Sequence, residues 1–472
     1  MSNSSLKEQT PIRDARTLGI PRMLILGLQH MFAMFGATVL VPILVNAYFH
    51  GEGLSVQVTL FFAGVGTLFF HVCSKMKVPA FLGSSFAFLG GFAAVAELNT
   101  GIFADMTYGE KLPYACGGIV VAGLLYLVLA LIIRRVGVRK VMRYLPPVVT
   151  GPIIICIGLS LAGSAISNCE TNWFLALIAL ATVIVFNVWG KGMFRIIPIL
   201  MGIVISYLAA LLMNLAGITN PGGGVILDFS QLSSTPWFGV PDFFLCKFNL
   251  TAILVMAPIA IATMMEHVGD ISAISATVGS NFIEDPGLHR TLIGDGLATS
   301  LSAMFGGPAN TTYGENTGVL ELSKVYDPNV IRLAAVFAII LSFVPKFAGI
   351  IVTLPASIIG GISFILYGMI SAIGVRNMVE NKVDLTISRN LIIAAVILVC
   401  GLGFSSGITF MIGNTSITLT GLAVASLAGI VLNAILPGND YEFGINPRGD
   451  RNRGVGINPG RTLEEKQAEE GK

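Results

Sequence analysis

The 472 residues predict an all-α polytopic membrane protein: fourteen transmembrane segments in two inverted repeats of seven, with short extended strands in segments three and ten. Three observations carry that expectation. The composition is too apolar for a water-soluble chain, Lys and Arg fall almost entirely on one side of the apolar segments, and weak internal repeats pair the first half of the chain with the second.

Hydrophobic residues make up 54% of the chain and charged residues 11%, whereas a soluble globular chain carries about 25% charged residues. Mean hydropathy is +0.81. A net charge of +2 without a Lys/Arg run leaves no footprint for nucleic acid. The six cysteines, Cys73, Cys116, Cys156, Cys169, Cys246 and Cys400, form no CxxC pair, so neither a metal site nor a disulfide framework is expected. They read as small apolar fillers. The opening MSNSSLKEQTPIRDARTLGIPR is polar ahead of the first apolar run, unlike a cleaved signal peptide, and both tails read as disordered and cytoplasmic.

A span needs about 20 apolar residues at 1.5 Å each to cross about 30 Å of hydrocarbon. That ruler places segments near 24–47, 54–74, 79–97, 114–133, 144–166, 172–189 and 196–218. A second set lies near 249–270, 292–306, 308–322, 329–345, 355–375, 389–404 and 408–436. With a cytoplasmic N-terminus, the inner connections take Lys75, Lys77, Arg134, Arg135, Arg139, Lys140, Arg143, Lys191 and Arg195, then Arg290, Lys324, Arg332, Arg376, Lys382 and Arg389. Of the 28 Lys and Arg, just Lys111, Lys247 and Lys346 fall outside. A miscounted span would scramble that segregation, so fourteen spans with both termini inside are expected. The longest connection, 219–248, is outer and marks the midpoint.

The repeats are short. VPAFLGSSFAF (78–88) is similar to GPANTTYGENT (307–317), LPPVVTG (145–151) to LPASIIG (354–360), and LQHMFAMFG in segment one faces MMEHVGDIS in segment eight. Segments one, three and five thus pair with eight, ten and twelve. Seven spans per half is odd, so the halves cross in opposite senses. Glycine-interrupted segments at matching positions of such repeats point to a secondary transporter and to its site. Irregular backbone at membrane depth is tolerated where protein buries it or where it lines a watery cavity. Segments three and ten are therefore expected to hold an extended piece and then a half-helix, whose N-terminus aims free N–H groups at the midplane. Close helix packing would explain Gly306 and Gly307 equally well, but not the carboxylate beside them.

Ionisable residues within spans are costly and mark function. Three acids stand out: Glu266 and Asp270, four apart and so on one helical face, and Glu315 in the break of segment ten. Three carboxylates buried together cannot all stay ionised. A protonatable cluster is what proton coupling requires, so all three are candidates for that role, with the proton as coupling ion and no other cofactor. His30, His267 and Tyr313 are further candidates. Phe86 and Tyr313 have rings that could stack on a flat ligand, and Tyr367 has a hydroxyl that could border a cavity. No nucleophile–base pair, P-loop or metal spacing occurs, so an enzyme is not expected.

At these residues the chain resembles the nucleobase-ascorbate transporters, also called the second nucleobase-cation symporter family, and within it the uracil-transporting branch. The likeness covers nearly all of 20–436. Its most specific piece is ENTGVLELSK, 315–324, in which Ser323 and Lys324 stand where a Thr and an Arg are usual; QHMFAMFGATVLVP, GSSFAF, MEHVGD and GGPANTTYGEN also match.

The resemblance implies a core domain (23–135 and 249–350) and a gate domain (136–218 and 351–436), with an extracellular connection at 219–248, cytoplasmic tails at 1–22 and 437–472, and a homodimer in the cell membrane. It implies a small-molecule nucleobase as substrate, imported by proton symport, with Glu266 and Glu315 accepting from its ring N–H groups. The backbone amides at Phe86 and Gly314 would donate to its carbonyls, and Tyr367 would line the gate side. Glu315 points to uracil. Asp270 stands where the uracil type usually has His and looks like the purine type, which keeps xanthine or uric acid as the alternative. An anion transporter of the same fold is more distant, since acids would ring its site.

Overall fold

The computed structural model describes residues 11–404, 407–412, 415–438 and 441; the first ten residues and most of the 437–472 tail lie outside the described residues. The first half builds helices α1 (Ile20–Tyr48), α2 (Val56–Cys73), α3 (Leu89–Ala96), α4 (Tyr108–Val136), α5 (Pro147–Glu170), α6 (Trp173–Trp189) and α7 (Pro198–Leu215). The second half builds α8 (Leu250–Val278), α9 (Leu288–Met304), α10 (Gly314–Ser323), α11 (Pro328–Ser342), α12 (Ala356–Glu380), α13 (Ser388–Gly403) and α14 (Gly421–Ile435). Seven of these are long and apolar enough to cross a membrane unaided, and α11 joined to Pro345–Val352 across an 84° bend makes an eighth. The chain is a multi-pass membrane protein.

Local chemistry fixes the ends. Thr107 and Glu110 form a reciprocal capping box at the start of α4. Asn249 caps α8, and Pro258 interrupts that helix with a tight turn at Ala257–Ile259 because proline brings no amide donor. Asp327 caps α11 and also accepts from the Ala15 amide at 2.8 Å.

That last bond corrects part of the expected N-terminal tail. Residues 12–18 are docked: Ile12 bridges Val325, Arg13 donates to the Ser280 hydroxyl and to the Val278 carbonyl, and α1 already starts at Ile20. A second correction concerns 408–436, read as one span. Its first part is a hairpin, β3 (Ile408–Ile412) on β4 (Thr415–Leu419), paired from Ile408↔Leu419 to Ile412↔Thr415. The run ITFMIGNTSITLT is rich in Ile and Thr, which favour strands.

Two further strands sit at the middle of the fold. β1 (Leu82–Ser84) precedes α3, β2 (Asn310–Thr312) precedes α10, and they pair antiparallel as Leu82↔Thr312, Gly83↔Thr311 and Ser84↔Asn310. All six residues are buried. Thr67 donates to the Leu82 carbonyl and accepts from its amide, and Thr299 does the same for Asn310. Buried backbone of a two-stranded piece is thereby satisfied from α2 and α9.

Packing sorts the helices into two sets. In one, α4 lies along α9, α2 along α11 and α9, and α1 along α11. In the other, α12 packs on α5 and α6, α7 on α6, and α13 on α14 and α5. Links between the sets are sparser and run mainly through α1 to α7 and α8 to α5 and α14. The α4–α9 seam is close because glycines face each other: a Cβ on Gly123 would meet the Gly296 carbonyl at 2.5 Å, and one on Gly296 would meet the Gly123 carbonyl at 2.5 Å.

Candidate functional site

Beside the paired strands lies a cavity of about 100 Å³ lined by α8 (Met265, Glu266, Gly269, Asp270), by Thr311–Gly314 of β2 and the start of α10, and by Phe86 ahead of α3. Its floor comes from Met142, Leu145 and Thr150 at the start of α5 and from Ile370, Asn377 and Asn381 on α12. The site thus lies between the two packing sets.

The i, i+4 spacing on α8 puts Glu266 and Asp270 on one face, and both are half-buried. Asp270 accepts a hydrogen bond from the Thr312 hydroxyl at 2.9 Å, tying α8 to β2. On the opposite wall the backbone stops being strand and becomes helix twice. Ser85 precedes the Phe86–Phe88 turn and Tyr313 precedes α10, and neither supplies a side-chain cap. Amides at such helix starts lack intrahelical acceptors and are donors for a ligand.

Tyr313 lines the cavity and also holds the strands in register: its hydroxyl donates to the Ser84 carbonyl at 2.9 Å, and Ser84 in turn donates to the Thr38 carbonyl at 2.8 Å. The Tyr313 ring lies flat over Gly83, where a Cβ would meet it at 2.4 Å, so glycine there is a steric necessity. Phe86 is buried, with its ring edge-on to Tyr367 at 6.0 Å between centroids.

The remaining candidates are placed differently. Tyr367 is buried on α12 and is not among the residues lining the cavity, so it reaches the site through Phe86. His30 is buried on α1 and takes part in a 3.2 Å contact with the Asn316 amide, which also donates to the His30 carbonyl at 3.1 Å. It fastens α10 to α1. His267 turns away from the cavity and meets Asp295 of α9 at 3.0 Å, both side chains with no exposure. Gly314 lines the cavity, while the side chain of Glu315 lies outside the described residues.

Asp295 is a residue the sequence reading missed. The set of in-span acids was Glu266, Asp270 and Glu315; the structure adds a fourth, fully buried and paired, in the run LIGDGLAT. Thr311, Thr312, Asn377 and Asn381 were also missed as lining residues. The signal for them was present in their polarity inside or next to apolar segments.

A second cavity, about 570 Å³, is lined by Phe86, by the C-terminal ends of α1 (Tyr48), α3 (Ala93, Ala94) and α13 (Gly401, Leu402), and by Ile157–Leu161 of α5. Because α5 contributes its start to the first cavity and its later turns to the second, the two lie at different levels along the bundle. Phe86 lines both.

Residues 21–410 match a family model described as a permease family. Among characterised relatives, the uracil permease of Bacillus caldolyticus is 41% identical over 442 residues, covering 90% of this chain and 94% of that protein. The uracil permease of Bacillus subtilis (strain 168) is 38% identical over 429 residues, covering 87% and 91%. Solved structures share the fold at low identity: the transmembrane domain of the cyanobacterial bicarbonate transporter BicA aligns with a TM-score of 0.56 and 16% identity, over 90% of this chain and 99% of that one. The overall structure of SLC26A9 aligns at 0.62 and 11%, over 89% and 66%.

Proposed function

This chain belongs to the permease family of nucleobase-ascorbate transporters, and from that membership we propose that it imports uracil across the cell membrane by proton symport. The observation that carries the reading is convergence on one cavity: acceptors on α8, uncapped helix starts at Phe86 and Gly314, and an aromatic face. Uracil is a flat ring with alternating N–H donors and carbonyl acceptors. Glu266 accepts from the ring, the amides at Phe86 and Gly314 donate to its carbonyls, and the Phe86 ring covers it. Glu315 is assigned a second acceptor role on the strength of the family motif 315–324.

Transport then follows from the packing. The set built from α1–α4 and α8–α11 acts as the core that carries the substrate, and α5–α7 with α12–α14 as the gate it moves against, alternately opening the two cavities that meet at Phe86. The exchange of contacts between α4–α9 and α2–α11, and the antiparallel β1–β2 pair, support fourteen spans in two inverted repeats. Both termini are placed in the cytoplasm on the distribution of Lys and Arg, and the protein is proposed to work as a homodimer. The carboxylates take up the coupling proton because a desolvated pair of like charges favours protonation of one member.

The structural neighbours named as a bicarbonate transporter and SLC26A9 share the fold, but a site lined by Glu266 and Asp270 repels an anion. Xanthine or uric acid remains the second reading, favoured by Asp270 alone. Uptake of radiolabelled uracil by cells expressing the protein tests both. Unlabelled uracil should compete, and xanthine and uric acid should not. A proton uncoupler should collapse accumulation while sodium removal leaves it; the reverse result would reassign the coupling ion.

A further inference from the structure

Away from the substrate cavity, α2 ends beside the end of α4 and the start of α9. There Cys73, Arg134, His289, Arg290 and Ile293 line a cavity of about 330 Å³. The positive charges of Arg290, Arg134 and Lys75 all bear on the His289 ring. No acid lines this cavity, and among the described residues Arg134, Arg290 and Lys75 make no ion pair. The neighbouring acid, Asp285, is taken by Lys77, whose hydrogen bond and charge hold that carboxyl below its ordinary range.

Basic residues at the ends of spans are ordinary. Two arginines from different helices walling one concavity with no acid in its lining are a different arrangement. The surface next to it is apolar. Leu124, Val128, Leu131 and Ile132 are exposed on one face of α4, spaced i, i+4, i+7 and i+8, and Val136 and Val72, within two residues of the lining Arg134 and Cys73, are exposed as well.

We propose that this cavity binds the headgroup phosphate of an anionic phospholipid, with Arg134 and Arg290 on the phosphate and the acyl chains laid along the exposed face of α4. Basic pockets between helices at the membrane surface suit such headgroups, and guanidinium groups match phosphate geometry. A free phosphate would satisfy the arginines equally, but the exposed apolar face of α4 is bilayer-facing surface that leads to Arg134, where phospholipid headgroups are the abundant source of phosphate.

Native mass spectrometry of the purified full-length protein, titrated with phosphatidylglycerol or with phosphatidylcholine of the same chains, tests this. Phosphatidylglycerol should be retained and phosphatidylcholine lost. The pair Arg134→Gln and Arg290→Gln should lower phosphatidylglycerol retention at least fivefold, and the pair Arg139→Gln and Lys140→Gln, basic but outside the cavity, should leave it within twofold. If the first pair does not elute as a single species, the exposed Arg134→Gln alone should still lower retention at least twofold. Equal retention of the two lipids, equal loss from both pairs, or no loss from the arginine variants would overturn the proposal. Displacement of phosphatidylglycerol by millimolar inorganic phosphate would also overturn it, in favour of a free-anion site.

Discussion

Glu266 and His267 are neighbours on α8 and lie in opposite surroundings. Glu266 shares a half-buried face with Asp270 and fronts the cavity, whereas His267 is sealed against Asp295 with neither side chain exposed. One helix therefore carries two acid-containing clusters about a quarter turn apart, one wet and one dry. The wet pair faces the cavity in which proton and ligand exchange is proposed. The dry pair is held by its own partner and joins α8 to α9, so its worth is in keeping the core set together.

That contrast can be broken by mutation, and the dry side should show the largest effect. Asp295→Ala leaves the buried His267 ring without its partner, at a cost on the order of 3 kcal/mol, the upper end for leaving a buried polar group unsatisfied. A clear fall in melting temperature of purified protein is expected, with Asp295→Asn recovering much of it because the amide oxygen still accepts. On the wet side, Glu266→Gln presents a donor where the ring needs an acceptor and should cost about 1–3 kcal/mol in uracil binding, roughly a five- to 150-fold loss. Its melting temperature should stay close to that of the parent. If Glu266→Gln melted as early as Asp295→Ala, the two faces would not be functionally distinct.

Asp270→Asn sharpens the comparison within the wet pair. Equilibrium uracil binding should change less than threefold, while uphill uptake falls, because an amide cannot titrate beside Glu266. Uphill uptake at the parental rate across the pH range would remove Asp270 from the proton path. The smallest effect is expected for Thr312→Val, which deletes the 2.9 Å hydrogen bond to Asp270 and should weaken binding by about 0.5 kcal/mol, roughly twofold. Binding left unchanged there would mean that β2 is aligned without α8.

How much of this could be read from the residues depends on where the information lies. Glu266 and Asp270 were legible because helical spacing alone puts them on one face, and an acid in an apolar helix is conspicuous. Asp295 was not, since its meaning depends on His267, on a different helix. His30 and His267 were legible as buried polar groups but not as fasteners, which is set by Asn316 and Asp295 across tertiary contacts. Tyr367 was expected to line the gate side; its edge-on contact with Phe86 depends on tertiary packing between α12 and the segment ahead of α3. The hairpin inside 408–436 was missed because its apolar run is as long as a span.

Phe86 also sets where the transmembrane voltage falls. It lines both cavities, so in either state of the proposed cycle the open cavity would bring water up to a single ring. The electrical drop, spread over about 30 Å in plain bilayer, is then concentrated across that septum. A charge moved past it draws on nearly the full potential, about 2.3 kcal/mol per elementary charge per 100 mV. If coupling runs by proton as proposed, a proton relayed a few ångströms between carboxylates next to Phe86 would collect most of the electrical driving force without a long conducting path through the protein.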